Sequence, residues 1–241
     1  MNSIQKVFQK KEQNLLSIFF TAGFPELNQT AAIIETLGAN GVDFIEVGLP
    51  YSDPLADGPT IQQSSSVALK NGMNLDVVFK QLQNIKDTNT TPLVVMGYVN
   101  QIIKYGEVAF CEQVVACGID TIIIPDLPMI EYENHYKVLF KTYGITNVFL
   151  ITPNTTEERI RKIDAYTDAF IYMVASASIT GAKGEISEEQ LSYFNRIKTM
   201  NLKSHLIIGF GISDIIGSAF IKSMEKHGVN EISEFVKSIK G

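Results

Sequence analysis

Eight short apolar runs recur along the chain, each ending in turn-forming residues. They are LLSIFFTAG from Leu15, VDFIEVGLP from Val42, LVVMGY from Leu93, IDTIIIPDLP from Ile119, ITNVFLITP from Ile145, AFIYMVAS from Ala169, HLIIGFG from His205 and IIGSAF from Ile215. Their near-continuous apolarity and wealth of Ile, Val and Phe mark parallel strands buried on both faces. Between them lie segments with helical spacing. Leu27, Ile34 and Leu37 share one stripe before Gly38 and Gly41, and Tyr132, Tyr136, Leu139 and Tyr143 form another. Ser187 with Gln190 reads as a capping box ahead of Leu191, Phe194 and Ile197. The alternation predicts right-handed βαβ units and a parallel sheet. Eight strands, each followed by a helix, close most simply as an α/β (β/α)8 TIM barrel. No repeat, linker or low-complexity stretch interrupts the pattern, so residues 1–241 are expected to form one domain.

One interval breaks the rhythm. Only ten residues separate the run at His205 from the run at Ile215. A parallel crossover needs about a dozen residues besides its strands. GFGISDIIGSAF therefore has no room for a strand, a helix and a second strand. The segment between strands seven and eight is anomalously short. The expectation is that residues are omitted there and that Asp214 and Ile215 are not bonded.

Composition narrows the partners. The 241 residues are 45% hydrophobic, with 20 Lys and Arg against 26 Asp and Glu, a net charge of −6. No basic tract appears, which argues against nucleic acid or an anionic membrane surface. No apolar run approaches a membrane span. The first residues, MNSIQKVFQKKEQ, lack the apolar stretch of a secretory signal, so a cytoplasmic location is expected. Cys111 and Cys117 are six apart without histidine partners and read as buried thiols in a reducing compartment. His135, His205 and His227 show no ligand spacing, so no metal is expected. No GxGxxG or Walker motif is present, so no nucleotide cofactor is expected.

In such barrels the reacting groups gather at the C-terminal ends of the strands. Glu46 lies near the end of the second run and by period two shares a face with Phe44. A carboxylate there is costly to bury unpaired, which gives it either a task or an ion-pair partner. The following loop, SDPLADGP, offers Asp53 and Asp57, stiffened by Pro54 and Pro59, with Gly58 free to adopt positive φ. Asp also serves turns locally, so the loop alone does not choose between these roles. Two carboxylates in different environments can divide acid and base duties. Tyr172 shares a face with Phe170 and is either a core filler or a site residue, while Asp126 in PDLP could simply cap the next helix. Glycine turns at SITGAKGE, GFGIS and GSAFIK follow runs six, seven and eight. Exposed amides at such turns bind phosphate without Lys or Arg, and the last two positions are the usual phosphate seat of this architecture.

The stretch FIEVGLPYSDPLADGPTIQ, with MGYVNQIIKYG, IIPDLP, IYMVASASITGA, GFGIS and GSAFIK, resembles the tryptophan synthase α-subunit family over essentially the full length. The resemblance implies a cofactor-free lyase that cleaves indole-3-glycerol phosphate to indole and glyceraldehyde 3-phosphate by a retro-aldol reaction. It implies a partner β subunit carrying pyridoxal phosphate (PLP), joined in an α2β2 complex and receiving the indole. It carries catalytic acids onto Glu46 and Asp57, a supporting tyrosine onto Tyr172 and a loop threonine onto Thr180. Phosphate contacts carry over to Gly181, Gly211, Ser213, Gly217 and Ser218. Phe19, Ile61, Val99 and Phe210 are expected as apolar walls for the indole. Contacts with the partner are expected from residues 51–61, 175–186 and 97–106. Competing readings are a sugar-phosphate isomerase or epimerase barrel, a stand-alone indole-producing lyase, and a catalytically impaired subunit that mainly binds and regulates its β partner. The isomerase reading would want a metal or a more histidine-rich mouth.

Overall fold

The structure, a computed structural model, describes residues 1–11, 14–174, 187–209 and 215–240. All eight expected strands are present: β1 Ser17–Thr21, β2 Phe44–Gly48, β3 Leu93–Met96, β4 Thr121–Ile123, β5 Thr146–Ile151, β6 Phe170–Val174, β7 His205–Gly209 and β8 Ile215–Ile216. They form one sheet in the order β7-β6-β5-β4-β3-β2-β1-β8, and every recorded pairing is parallel. β7 and β8 lie against each other, which brings the two ends of the sheet together as a barrel.

The helices are α1 Ser3–Lys10, α2 Thr30–Ala39, α3 Pro59–Lys70, α4 Leu75–Ile85, α5 Val99–Tyr105 and α6 Glu107–Ala116. They continue with α7 Met129–Glu131, α8 Lys137–Tyr143, α9 Glu157–Tyr166, α10 Glu188–Thr199, α11 Ser218–His227 and α12 Ile232–Lys240. α1 closes the N-terminal mouth. Its Phe8 stacks on His205 at 4.0 Å and meets Phe170 edge-on at 6.3 Å, while the Ser3 amide and hydroxyl donate to Asp120. Asn2 starts α1 with a capping box to Gln5.

Which side chains enter the barrel follows from strand contacts. Phe44 of β2 and Phe170 of β6, strands that are not neighbours, meet at 5.7 Å across the interior. Glu46 and Tyr172 stand two residues further along the same strands. They therefore point inward, one layer nearer the C-terminal rim.

β1 to β4 are buried on both faces, as their composition predicts. β7 is not: Leu206 and Ile208 are only half-buried, as is Ile216 of β8. Ile207 pairs in register with inward-facing Tyr172, so Leu206 and Ile208 face outward. Five positions, 210–214, lie between Gly209 and Ile215, too few for the helix that covers the other strands. Asp214, where a break was expected, lies outside the described residues, and the amino-acid sequence runs on through it.

Several local readings are corrected. Leu27 precedes α2, and Gly38 lies inside it; the buried stripe is Thr30, Ile33, Ile34 and Leu37. The tyrosine stripe passes through a π-helical turn, Tyr132–Tyr136, and both of these rings are buried. The Ser187–Gln190 capping box forms, but Leu191 is exposed. Gln190 folds back to cap, and Tyr193 and Ile197 carry the buried face. Gly58 does not use positive φ; it is extended, at φ −74°, as the N-cap residue before Pro59 of α3. Asp126 caps not the following helix but α5, accepting from the Val99 amide at 2.9 Å. Cys111 and Cys117 are buried free thiols.

Candidate active site

Glu46 is 0% exposed. Its register neighbours on β1 and β3 are Phe19 and Val94, both apolar. Its Oε1 accepts a 2.8 Å hydrogen bond from the Ser17 hydroxyl, and its Oε2 has no hydrogen-bond partner among the described residues. Burial penalises the charged form and lifts the pKa from 4.5 to about 7, against the opposing pull of the Ser17 hydrogen bond. None of the ion pairs among the described residues includes it. A strand carboxyl of this kind is half protonated near neutrality, the condition for an acid that must also act as a base.

Asp57 sits in the loop between β2 and α3, held by its own amide donating to the Pro54 carbonyl. Its Oδ2 accepts from the Tyr98 hydroxyl at 2.8 Å, and that hydroxyl in turn accepts from the Ala56 amide at 3.1 Å. Its Oδ1 has no partner among the described residues. Burial raises its pKa, while the Tyr98 bond pulls the other way. Asp53 differs: it is exposed, and among the described residues its side chain bonds only the neighbouring Ser52 hydroxyl. The loop thus presents one aspartate inward and spends the other locally.

Tyr172 joins the two acids. Its phenol is 4% exposed, and its pKa is raised first by burial, then by the charges of Glu46 and Asp57. Room for it comes from Gly209 on β7, where a Cβ would overlap the ring and hydroxyl of Tyr172. Gly209→Ala is expected to cost about 1–3 kcal/mol through overpacking. Thermal unfolding in a double-mutant cycle with Tyr172→Ala checks this, because the two costs should fall short of adding. Full additivity would mean that the ring is not the neighbour that matters.

The apolar candidates surround the same rim. Phe19 is inward on β1, its ring filling the space where Gly48 and Gly217 lack side chains. Ile61 and Val99 occupy the first turns of α3 and α5, the helix ends at the C-terminal rim. Gly217 precedes α11, and no side chain among the described residues caps that helix, so its first amides are placed to meet an anion. Thr180, Gly181, Phe210, Gly211 and Ser213 lie outside the described residues. A cleft of about 820 Å³ opens at this end, lined by Asp57, Gly58, Pro125, Leu150, Thr155, Arg159 and Val174 among others. No group of three or more His, Cys, Asp or Glu among the described residues is placed to hold a metal.

Four contributors to this site were not singled out from sequence, Ser17, Tyr98, Gly209 and Arg159, although Tyr98 lies in the expected partner segment 97–106 and Gly209 opens the GFGIS turn. Ser17 carried a usable signal, a hydroxyl opening a strand whose centre is Ile18, Phe19 and Phe20. Tyr98 carried a weaker one, a phenol just past β3. Gly209 and Arg159 become visible only once the strands are in register and the loops are in place.

A sequence profile of the family described as tryptophan synthase alpha chain matches residues 4–240. The tryptophan synthase alpha chain of Flavobacterium johnsoniae is 50% identical over 254 aligned positions, covering 100% of both chains. That of Bacteroides thetaiotaomicron is 47% identical over 94% of each. Among solved structures, the alpha subunit from Legionella pneumophila superposes with a TM-score of 0.89 at 28% identity, covering 100% of this chain and 97% of that one. A chain of the Pyrococcus furiosus tryptophan synthase a2b2 complex gives 0.85 at 33% identity, covering 93% and 95%. The first alignment spans 254 positions against 241 residues here, so about 13 residues of that relative face gaps in this chain.

Proposed function

The chain belongs to the tryptophan synthase alpha chain family, and from that premise we propose that its barrel cleaves indole-3-glycerol phosphate to indole and glyceraldehyde 3-phosphate. One observation carries the assignment of residues. Two carboxyls at the C-terminal rim each have one oxygen held by a hydroxyl and one without a described partner, and Tyr172 lies in the field of both.

In this reading Glu46 gives its proton from Oε2 to indole C3. Positive charge develops on the ring, and Asp57 stabilises it by accepting the indole N–H at Oδ1. Glu46, now a carboxylate, takes the proton from the hydroxyl on the adjoining carbon. That carbon becomes the aldehyde, its bond to C3 breaks, and the bonding electrons return to the ring. Tyr172 keeps its proton and holds its place between the acids. Phe19, Ile61, Val99 and Phe210 wall the indole. Thr180 belongs to the loop over the site, and the phosphate rests on Gly181, Gly211, Ser213, Gly217 and Ser218.

The acid–base pair supplies the chemistry, so the chain needs no cofactor or metal of its own; PLP belongs to the β subunit. The chain forms one barrel domain over residues 1–241. It pairs with a tryptophan synthase β subunit as an α2β2 assembly, in keeping with the a2b2 complex of the Pyrococcus furiosus relative. Leu55, 90% exposed, and Ile103, 56% exposed, give residues 51–61 and 97–106 apolar contacts for that partner; residues 175–186 lie outside the described residues. Among the described residues no helix is long and apolar enough to cross a membrane. Two buried free thiols support a cytoplasmic site.

Adding indole-3-glycerol phosphate to the isolated chain should release indole slowly, and adding β chains should accelerate it. Fast release that β chains leave unchanged would make this a stand-alone lyase. No release under either condition would make it a binding and regulatory subunit. The family match favours neither alternative, nor an isomerase barrel.

A further inference from the structure

We propose that Ser17 is a positioning residue for the cleavage: by holding Oε1 of Glu46 it leaves Oε2 as the oxygen that meets the substrate. The proposal rests on the reading of Glu46 as the general acid. Ser17 is 1% exposed in a strand whose other members are Ile18, Phe19, Phe20 and Thr21. A buried hydroxyl in an apolar barrel is costly unless it is bonded, and Glu46 is its partner at 2.8 Å.

A free carboxyl can turn about its last bond and offer either oxygen. With Oε1 accepting from Ser17, the proton of the neutral acid belongs on Oε2, which no other described group occupies. The same bond has a second effect. As Glu46 loses its proton to C3, the Ser17 contact becomes a charge-assisted hydrogen bond and strengthens. Its contribution is therefore larger for the carboxylate formed during the reaction than for the acid that begins it.

Among the described titratable groups, Tyr172 from β6 lies in the field of Glu46, and Asp57 from the loop after β2 also acts on Tyr172. β1 and β3 present Ser17, Phe19 and Val94, none of which titrates. Among the described residues, Ser17 is the one group that holds the pKa of Glu46 down against burial. Its removal moves the alkaline limb of kcat, where the acid is lost, to higher pH.

The test is steady-state cleavage by the full chain assembled with β chains, comparing Ser17→Ala, Ser17→Thr and Glu46→Gln. Ser17→Ala should lower kcat about tenfold with KM unchanged, and its alkaline limb should move up by about one pH unit. Ser17→Thr, which keeps the hydroxyl, should restore both. Ser17→Ala with unaltered kcat and limb, beside an inactive Glu46→Gln, overturns the role of Ser17 alone. A loss of kcat with no movement of the limb and no rescue by threonine also overturns it, because that is a packing effect. An active Glu46→Gln instead overturns the reading of Glu46 on which the proposal stands.

Discussion

Glu46→Gln is expected to lower indole release by about three orders of magnitude while making the folded protein more stable above neutral pH. Positioned acid–base catalysis contributes roughly 10²–10⁴-fold, and this residue is assigned both halves of it. Glutamine keeps the size and the oxygen that Ser17 binds, but it has no proton to give and no charge to take one. The stability effect follows from linkage. The folded pKa is about 7 against 4.5 for the ordinary carboxyl. Between these values the unfolded chain binds fewer protons than the folded one, so stability falls as pH rises through that window. Below it the burial of Glu46 costs no charge; above it the penalty is present in full. At ~1.4 kcal/mol per pH unit, the penalty is about 3 kcal/mol. Glu46→Gln removes it, so its melting temperature should exceed that of the parent at pH 8, with the gain fading toward pH 4.5. Near-normal turnover would falsify the catalytic role. A melting temperature independent of this change at pH 8 would contradict the burial.

The two proposed acids share one arrangement built from different materials. Glu46 is held by a serine on the neighbouring strand, and Asp57 by a tyrosine at the end of β3. A strand fixes its carboxyl by register, whereas a loop needs turn bonds such as Asp57 amide to Pro54 carbonyl. The strand acid is the more deeply buried, which suits the proton-transfer role proposed for it. The loop acid borders the open cleft, where an incoming ring can reach it.

Much of this was legible because burial on both faces writes itself into composition. Runs such as FFTA and FIEVG leave little choice but a two-sided strand, and Glu46 stood out as a polar intrusion in one of them. Ser17 intrudes in the same way but is uncharged, and a hydroxyl in a strand has many ordinary explanations. The role of Gly209 depends on the pairing of Val174 with Gly209 across β6 and β7, a long-range fact that no local pattern holds. The π-turn at Tyr132–Tyr136 was hidden because its stripe of three- and four-residue steps is also that of an α-helix. The short link between β7 and β8 was legible as a simple matter of chain length. Its consequence was not: half-buried Leu206, Ile208 and Ile216 on the outer wall need the neighbouring helices in place before their exposure can be judged.

Asp57→Asn is the second large effect, a loss of about 10²–10³ in kcat with little change in stability. Oxyanion-type stabilisation by one preorganised group is worth about that much, and the same magnitude applies here with the sign of charge reversed. The asparagine amide is neutral, so it cannot offset charge on the indole nitrogen. Its orientation makes matters worse. Tyr98 donates to Oδ2, so the amide oxygen should turn to that position and leave its NH2 facing the substrate. The indole N–H would then meet a donor where it needs an acceptor. Asp57 is only half-buried on a loop, so the fold should notice little, and KM should change less than kcat. A substrate analogue whose ring carries no N–H separates this account from a general disturbance of the loop. With that analogue the parent and Asp57→Asn should cleave at similar, low rates. If the variant remained a hundredfold slower, Asp57 would be acting through something other than the ring nitrogen.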